Sequence, residues 1–180
     1  MAVAWSELRG VHGHSGHVEP GPEWLLEHFR IDPWGAGLDL AVTGHPEGPV
    51  GAPSLWVHLT IASPLERRLP ASAAAVVANP VKLRHVTAFY RTNQGARLTH
   101  VDVWDGGRRI KQVTTNHGSN QDFSAKAEQR NTWTVDRALG IGLGVSLRFA
   151  FDTALGGEGF IPGEVRVTGV RALFERQSPS

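Results

Sequence analysis

The stretch Leu83 to Val113, LRHVTAFYRTNQGARLTHVDVWDGGRRIKQV, constrains the fold more than any other part of the chain. Val86, Ala88 and Tyr90 alternate with Thr87, Phe89 and Arg91. After a break at Asn93-Gln94-Gly95, Thr99, Val101 and Val103 alternate with Leu98, His100, Asp102 and Trp104. A period of two is the signature of strands with one face buried, and two such runs across a short polar break read as a β-hairpin. Asp105-Gly106-Gly107 supplies residues that tolerate positive φ and predicts a second turn, into a third strand around Ile110 to Val113.

The same pattern extends outward. Ser54 to Ile61 alternates cleanly, with Leu55, Val57, Leu59 and Ile61 on one face and Trp56, His58 and Thr60 on the other. Ala138 to Asp152 opens with Gly140, Gly142 and Gly144. It then places Val145, Leu147, Phe149 and Phe151 on one face, leaving a bare backbone opposite where a neighbouring ring can approach. Glu164 to Phe174 changes phase between Val167 and Val170, which predicts a β-bulge at Gly169. Leu38 to Thr43 and Asn131 to Val135 read as strands, Gly10 to Glu19 as strand or loop, and Glu23 to Phe29 as a helical turn or a short strand. Asp32 to Gly37 reads as a turn, and Gly44 to Pro53 and Thr153 to Gly163 as loops. Ala71 to Ala78 reads as a crossing between sheets, and Thr114 to Arg130 as a long, exposed and mobile loop. Many short strands joined by turns, with no βαβ rhythm, predict an all-β fold: an antiparallel two-sheet β-sandwich, jelly-roll-like, with at most one or two short helical segments. At 180 residues, one domain over 1–180 accommodates it.

Charge and composition remove several classes of function. Lys plus Arg is 18 against 17 Asp plus Glu, so no field of one sign argues for nucleic acid or an anionic membrane as partner. The absence of cysteine excludes disulfides, thiolate nucleophiles and cysteine-ligated zinc. No secretory pattern opens the chain and no apolar run approaches the roughly twenty residues of a membrane helix, which leads to the expectation of a cytoplasmic protein.

The order of landmarks resembles an uncharacterised bacterial family of small β-rich proteins, a domain of unknown function. The resemblance rests on Trp5 and Gly13 leading to Val18-Glu19, on Trp34-Gly35, Trp56-Val57-His58, Val103-Trp104-Asp105-Gly106 and Gly140-Ile141-Gly142-Leu143, on Val145 to Phe149, and on a closing strand from Gly169 to Phe174. The Ala71 to Ala78 and Thr114 to Arg130 segments depart from it. The resemblance implies a β-sandwich and brings no activity with it.

Three groups of side chains carry candidate chemistry. His100 and Asp102 share one face of a strand, where a carboxylate could orient an imidazole as a general base, a catalytic pair. Trp104 beside them, with Trp56 and His58 on another strand, form a candidate ligand-binding set. His12, His14 and His17 are candidate ligands for a divalent metal, although the spacing to His17 does not suit one strand face. Each has a plainer reading: a cross-strand polar network for the first two and a solvated Gly-His loop for the third. Gly140 to Gly144 has phosphate-loop composition, but no helix follows it, so a nucleotide site fails on context. Arg108, Arg109 and Lys111 read as a solvated strand edge.

These features support a non-enzymatic binding or assembly module with no cofactor, presenting Trp, His and Gly-rich loops to a small-molecule ligand or to a second copy in a homo-oligomer. The alternative is a cofactor-free or metal-assisted enzyme that uses the His and Asp pair on a small organic molecule.

Overall fold

The computed structural model describes residues 3–20, 25–31, 38–43, 54–64, 81–93, 95–115, 117–151 and 163–177. The loops read at Gly44 to Pro53 and Asp32 to Gly37, and the crossing at Ala71 to Ala78, lie outside the described residues, as does most of the loop read at Thr153 to Gly163. Eleven strands occur among the described residues: β1 (Val3–His12), β2 (His17–Pro20), β3 (Leu25–Ile31), β4 (Leu38–Thr43), β5 (Ser54–Ile61), β6 (Lys82–Thr92), β7 (Ala96–Asp105), β8 (Arg108–Thr114), β9 (Thr132–Ala138), β10 (Leu143–Phe151) and β11 (Gly163–Gln177). Helical geometry among them is confined to two 3-10 turns, Gly13–Ser15 and Gln129–Asn131.

The strands form two antiparallel sheets that pack face to face, as the alternation predicts. One runs β3-β4-β11-β6-β9, with β1 also paired to β11; the other runs β2-β5-β10-β7-β8. One edge of β11 is shared lengthwise, Gly163 to Val167 pairing with β4 and Gly169 to Gln177 with β1. The interlayer core joins Leu55, Val57, Leu59, Leu147, Phe149 and Val103 of the second sheet to Leu83, Ala88, Tyr90, Val167 and Phe174 of the first. Burial of each large side chain contributes about 1.5–3 kcal/mol, the main force holding the layers together.

The organising stretch corrects the hairpin reading. β6 and β7 are both strands, but β6 pairs with β11 and β9 whereas β7 pairs with β10 and β8, so the chain changes sheet at Asn93. Asn93 Oδ1 accepts bonds from the Gly95 and Glu164 amides at 3.0 and 2.9 Å, fixing a corner between layers. Alternation specifies which face a strand buries, and both strands bury theirs in the same core from opposite sides. It does not specify the hydrogen-bonded neighbour. The hairpin is β7 with β8, turning at Gly106, whose φ of 57° needs glycine at low cost.

Two bulges adjust the phase. The register on β6 slips between Val167 and Gly169, at the predicted position. On β7 it slips opposite Arg148 and Phe149, so Leu98 turns inward, fully buried, instead of sharing the outward face of His100.

The segment after β8 also differs from the exposed, mobile loop read there. Phe123 is buried and its amide donates to the Tyr90 carbonyl at 2.8 Å, while the Thr92 amide donates to the Gln121 carbonyl at 2.9 Å. Asn131, fully buried, donates to the Ala88 and Lys126 carbonyls, both at 2.9 Å. This polar stretch therefore closes the edge of β6 beyond β9, and satisfies backbone groups that would otherwise lack partners.

The Tyr90 hydroxyl, enclosed in the core, shares a hydrogen bond with His117 Nδ1 at 2.7 Å. Burial raises the Tyr90 pKa, and burial with the nearby Arg130 charge lowers that of His117, so both groups stay neutral near pH 7. Tyr90→Phe removes one bond and is expected to cost about 1 kcal/mol in chemical denaturation. Because the folded His117 pKa lies below the unfolded value, stability is expected to decline as pH falls below about 6.5, through the folded pKa. A His117→Gln variant should lose that slope.

Candidate functional site

Period-two geometry sends every second residue of the five-stranded sheet away from the core, and the register aligns these residues in rows. One row reads His17, His58, Ser146, Asp102, Gln112 from β2 to β8. The next reads Glu19, Trp56, Arg148, His100, Thr114. A third holds Thr60, Gly144, Trp104 and Arg109. The catalytic pair and the ligand-binding set, read from separate strands, thus occupy one face, because β5 and β7 both flank β10. His17, drawn from the metal group, joins them.

A directed hydrogen-bond chain crosses this face. The indole Nε1–H of Trp104 donates to Ser146 Oγ at 3.0 Å, and Ser146 Oγ lies 2.7 Å from His58 Nδ1. An indole N–H can only donate, so the Ser146 proton is free to point at His58, whose Nδ1 accepts it. His58 Nε2–H then faces Glu19 Oε2 at 3.1 Å. The bonding therefore assigns neutral His58 to the Nε2–H tautomer. His100 takes the other: the Thr99 hydroxyl donates to the Arg148 carbonyl at 3.1 Å, so His100 Nδ1 must donate to Thr99 Oγ1, also at 3.1 Å.

The rings and guanidinium groups pack against one another. Trp56 lies against His58 at 6.2 Å and His100 at 6.4 Å between centroids, and the Arg148 guanidinium sits 5.9 Å from its ring. Arg109 sits 5.9 Å from the Trp104 ring and donates to Asp102 Oδ2 at 3.1 Å. Gly144 makes room for Trp104, whose Cβ would stand 3.4 Å from a Cβ placed there. Beneath them Asp102 is 2% exposed, and its second oxygen, Oδ1, is buried with no hydrogen-bond partner among the described residues.

Asp102 does not orient His100, since each is engaged elsewhere; the carboxylate that orients a histidine on this face is Glu19, acting on His58. Ser146 completes a serine, histidine and carboxylate series, yet it is 3% exposed. It also stands mid-strand between two paired neighbours, so its backbone offers no converging N–H groups for an oxyanion. The series acts to lock the His58 tautomer and the Trp104 ring.

His12 ends β1 in one sheet and His17 begins β2 in the other, with a 3-10 turn between them, and the side chain of His14 lies outside the described residues. The His17 ring stacks on His58 at 6.4 Å. No group of three or more His, Asp or Glu side chains placed to hold a metal ion occurs among the described residues. The Gly140 to Gly142 turn does bind an anion, but its own. Asp105 accepts from the Gly140, Ile141 and Gly142 amides at 2.9, 2.8 and 3.2 Å.

Sequence reasoning missed Ser146 and Arg148, and read Glu19 only as an acidic neighbour of the His12, His14 and His17 group and Arg109 only as part of a solvated strand edge. The outward parity of Ser146 and Arg148 was visible against Val145, Leu147 and Phe149, but their partners come from other strands. No helix among the described residues is long and apolar enough to cross a membrane. No family model, curated protein or solved structure matches the chain, so the functional reading rests on this geometry.

Proposed function

We propose that the protein is a non-enzymatic binding module that presents the outer face of the five-stranded sheet to a ligand. The observation that carries this reading is the cluster of partly exposed Trp56, His58, His100 and Trp104 on one outward sheet face, tied together through Ser146. The internal hydrogen bonds of His58, Ser146 and Trp104 hold the surrounding rings in one arrangement before any ligand arrives, which limits the entropy lost on binding. Against an acid–base role for His100 and Asp102 stands the engagement of each with a different partner.

The test is a thermal-shift and fluorescence screen of small molecules and glycans on the full chain. Hits are expected to weaken about tenfold or more in Trp56→Ala and Trp104→Ala. They should bind unchanged in Arg171→Ala, on the other sheet, where Arg171 packs over Phe89. Hits that depend on Arg171 and ignore both tryptophans would remove the proposal. If the face instead pairs two copies, light scattering gives a dimer that either tryptophan variant converts to monomer.

A further inference from the structure

Beyond Thr87, β6 parts from β9, and the segment 117–131 takes over the edge that β9 leaves. Buried bonds anchor both ends of this segment. Thr115 donates its amide to the Thr99 carbonyl at 2.8 Å and its hydroxyl to the Leu98 carbonyl at 2.6 Å, while Asn131 donates to the Ala88 carbonyl at 2.9 Å. Between the anchors, backbone bonds join Thr92 to Gln121, Tyr90 to Phe123 and Asn93 to Asn120, and the Thr168 hydroxyl of β11 reaches the Ser124 carbonyl at 3.1 Å. Phe123 is the one buried apolar side chain between the anchors among the described residues. His117 closes over it. The His117 ring lies 5.8 Å from Phe123 and 6.4 Å from Trp133 between centroids, and is bonded to the Tyr90 hydroxyl. The segment thus rests on the sandwich through few contacts, whereas the sheets are joined by the interlayer core of β5, β6, β7, β10 and β11.

We propose that His117 is a pH-sensitive latch: its protonation in mildly acidic solution lets residues 117–128 swing off the edge of β6 while the two sheets stay paired. Protonation places a charge on a ring enclosed by Tyr90, Phe123 and Trp133, where little water reaches it. The charge that acts on His117 is Arg130, of like sign. The carboxylates of the segment are engaged elsewhere: Asp122 accepts from the Ser124 amide and hydroxyl, and Glu128 caps the turn Gln129–Asn131. Lys126 is exposed. From β6 the facing group is the Tyr90 hydroxyl, kept neutral by burial, while Arg91 points with the other parity and acts on Asp122. From β9 it is Trp133; Asp136 of that strand pairs with Arg84, and Arg137 stands opposite Leu83. Burial and Arg130 hold the His117 pKa of the closed segment below its ordinary value, which an open, solvated segment recovers at about 6.5. Closure is therefore fully favoured above about pH 6.5 and weakens as pH falls toward the closed-state value, by at most about tenfold in the opening constant per pH unit.

Amide hydrogen exchange of the full chain tests this, read as protection factors so that the intrinsic pH dependence of exchange cancels. The Phe123 and Thr92 amides report on the segment, and the amides of β10, paired on both edges, report on the sheets. Phe123 and Thr92 are expected to be protected at least about tenfold less than β10 at every pH, which shows that the segment opens alone. Their protection should fall about fivefold between pH 7 and pH 5 in the wild type and hold steady in His117→Gln, which keeps a hydrogen-bonding group for Tyr90 but does not titrate. An NMR titration of His117 in the wild type, which needs no variant, should give a midpoint below about 6.5. A midpoint at or above that value, no fall in the wild type, or a fall that persists in His117→Gln each overturns the latch. Equal protection of the segment and β10 also overturns it, because the segment then opens only when the whole chain unfolds.

Discussion

Asp105→Ala is expected to lower the thermal midpoint by roughly 6–12 °C, the equivalent of about 3 kcal/mol for a chain of this size. Asp105 ends β7, is 6% exposed, and accepts from three successive amides at Gly140, Ile141 and Gly142. Alanine leaves those amides without their acceptor and unties the turn before β10 from the β7–β8 hairpin. Hydrogen bonds to a charged group contribute about 1.5–3 kcal/mol each at most, and solvent partly replaces them here, which sets the magnitude. Burial works against ionisation of Asp105, but the three amides and Arg108 outweigh it and hold the carboxyl below its ordinary value. A depressed folded pKa means that this stabilisation is complete above the unfolded carboxylate value of about 4 and is lost as pH falls through the folded one. Denaturation of the wild type between pH 6 and pH 2 should therefore show an acid loss that is smaller in Asp105→Ala. Equal slopes in the two proteins would show that the carboxylate is not what holds the turn.

Gly169→Ala is expected to cost about 2–3 kcal/mol. A Cβ at this position would stand 2.5 Å from the Val11 carbonyl oxygen of β1, and a backbone atom cannot rotate aside as a side-chain tip does. Gly169 also marks the bulge on β11, where Val167 and Val170 both face the core three residues apart. Relief of the clash would have to push β1 away from β11 or remove the bulge and turn Val170 outward. Gly107→Ala is the control, because nothing lies within 4 Å of a Cβ there. If Gly169→Ala proves as mild as Gly107→Ala, β1 does not pack against β11 as described.

Legibility along the chain followed how local the physics was. Ser54 to Ile61 was readable to the residue because Leu55, Val57, Leu59 and Ile61 all meet one core. The Gly169 bulge was readable because it leaves a phase change in the sequence. The bulge that turns Leu98 inward leaves one too, since Leu98 and Val101 are three apart, but Thr99 between them is compatible with either face. The Thr114 to Arg130 segment looked mobile because its residues are polar; its order comes from backbone bonds to β6 and from buried Phe123 and Asn131, which composition does not reveal. At the candidate site, the shared parity of Trp56 with His58, and of His100 with Asp102 and Trp104, was readable. The Glu19, His58, Ser146 and Trp104 chain was not, since its members come from four strands up to 127 residues apart in sequence, from Glu19 to Ser146.

The sequence by itself determined most of the strands, the faces that β5 and β10 bury, the turn at Gly106 and the all-β class, because side-chain alternation and glycine conformation act within a few residues. Only the tertiary structure decided that β6 and β7 part company at Asn93, and that β5 and β7 meet on either side of β10. It also decided that a phosphate-like glycine turn is filled by Asp105. Each of these depends on which backbone a strand edge finds as its neighbour, and a strand edge carries the same N–H and C=O groups whatever its side chains are.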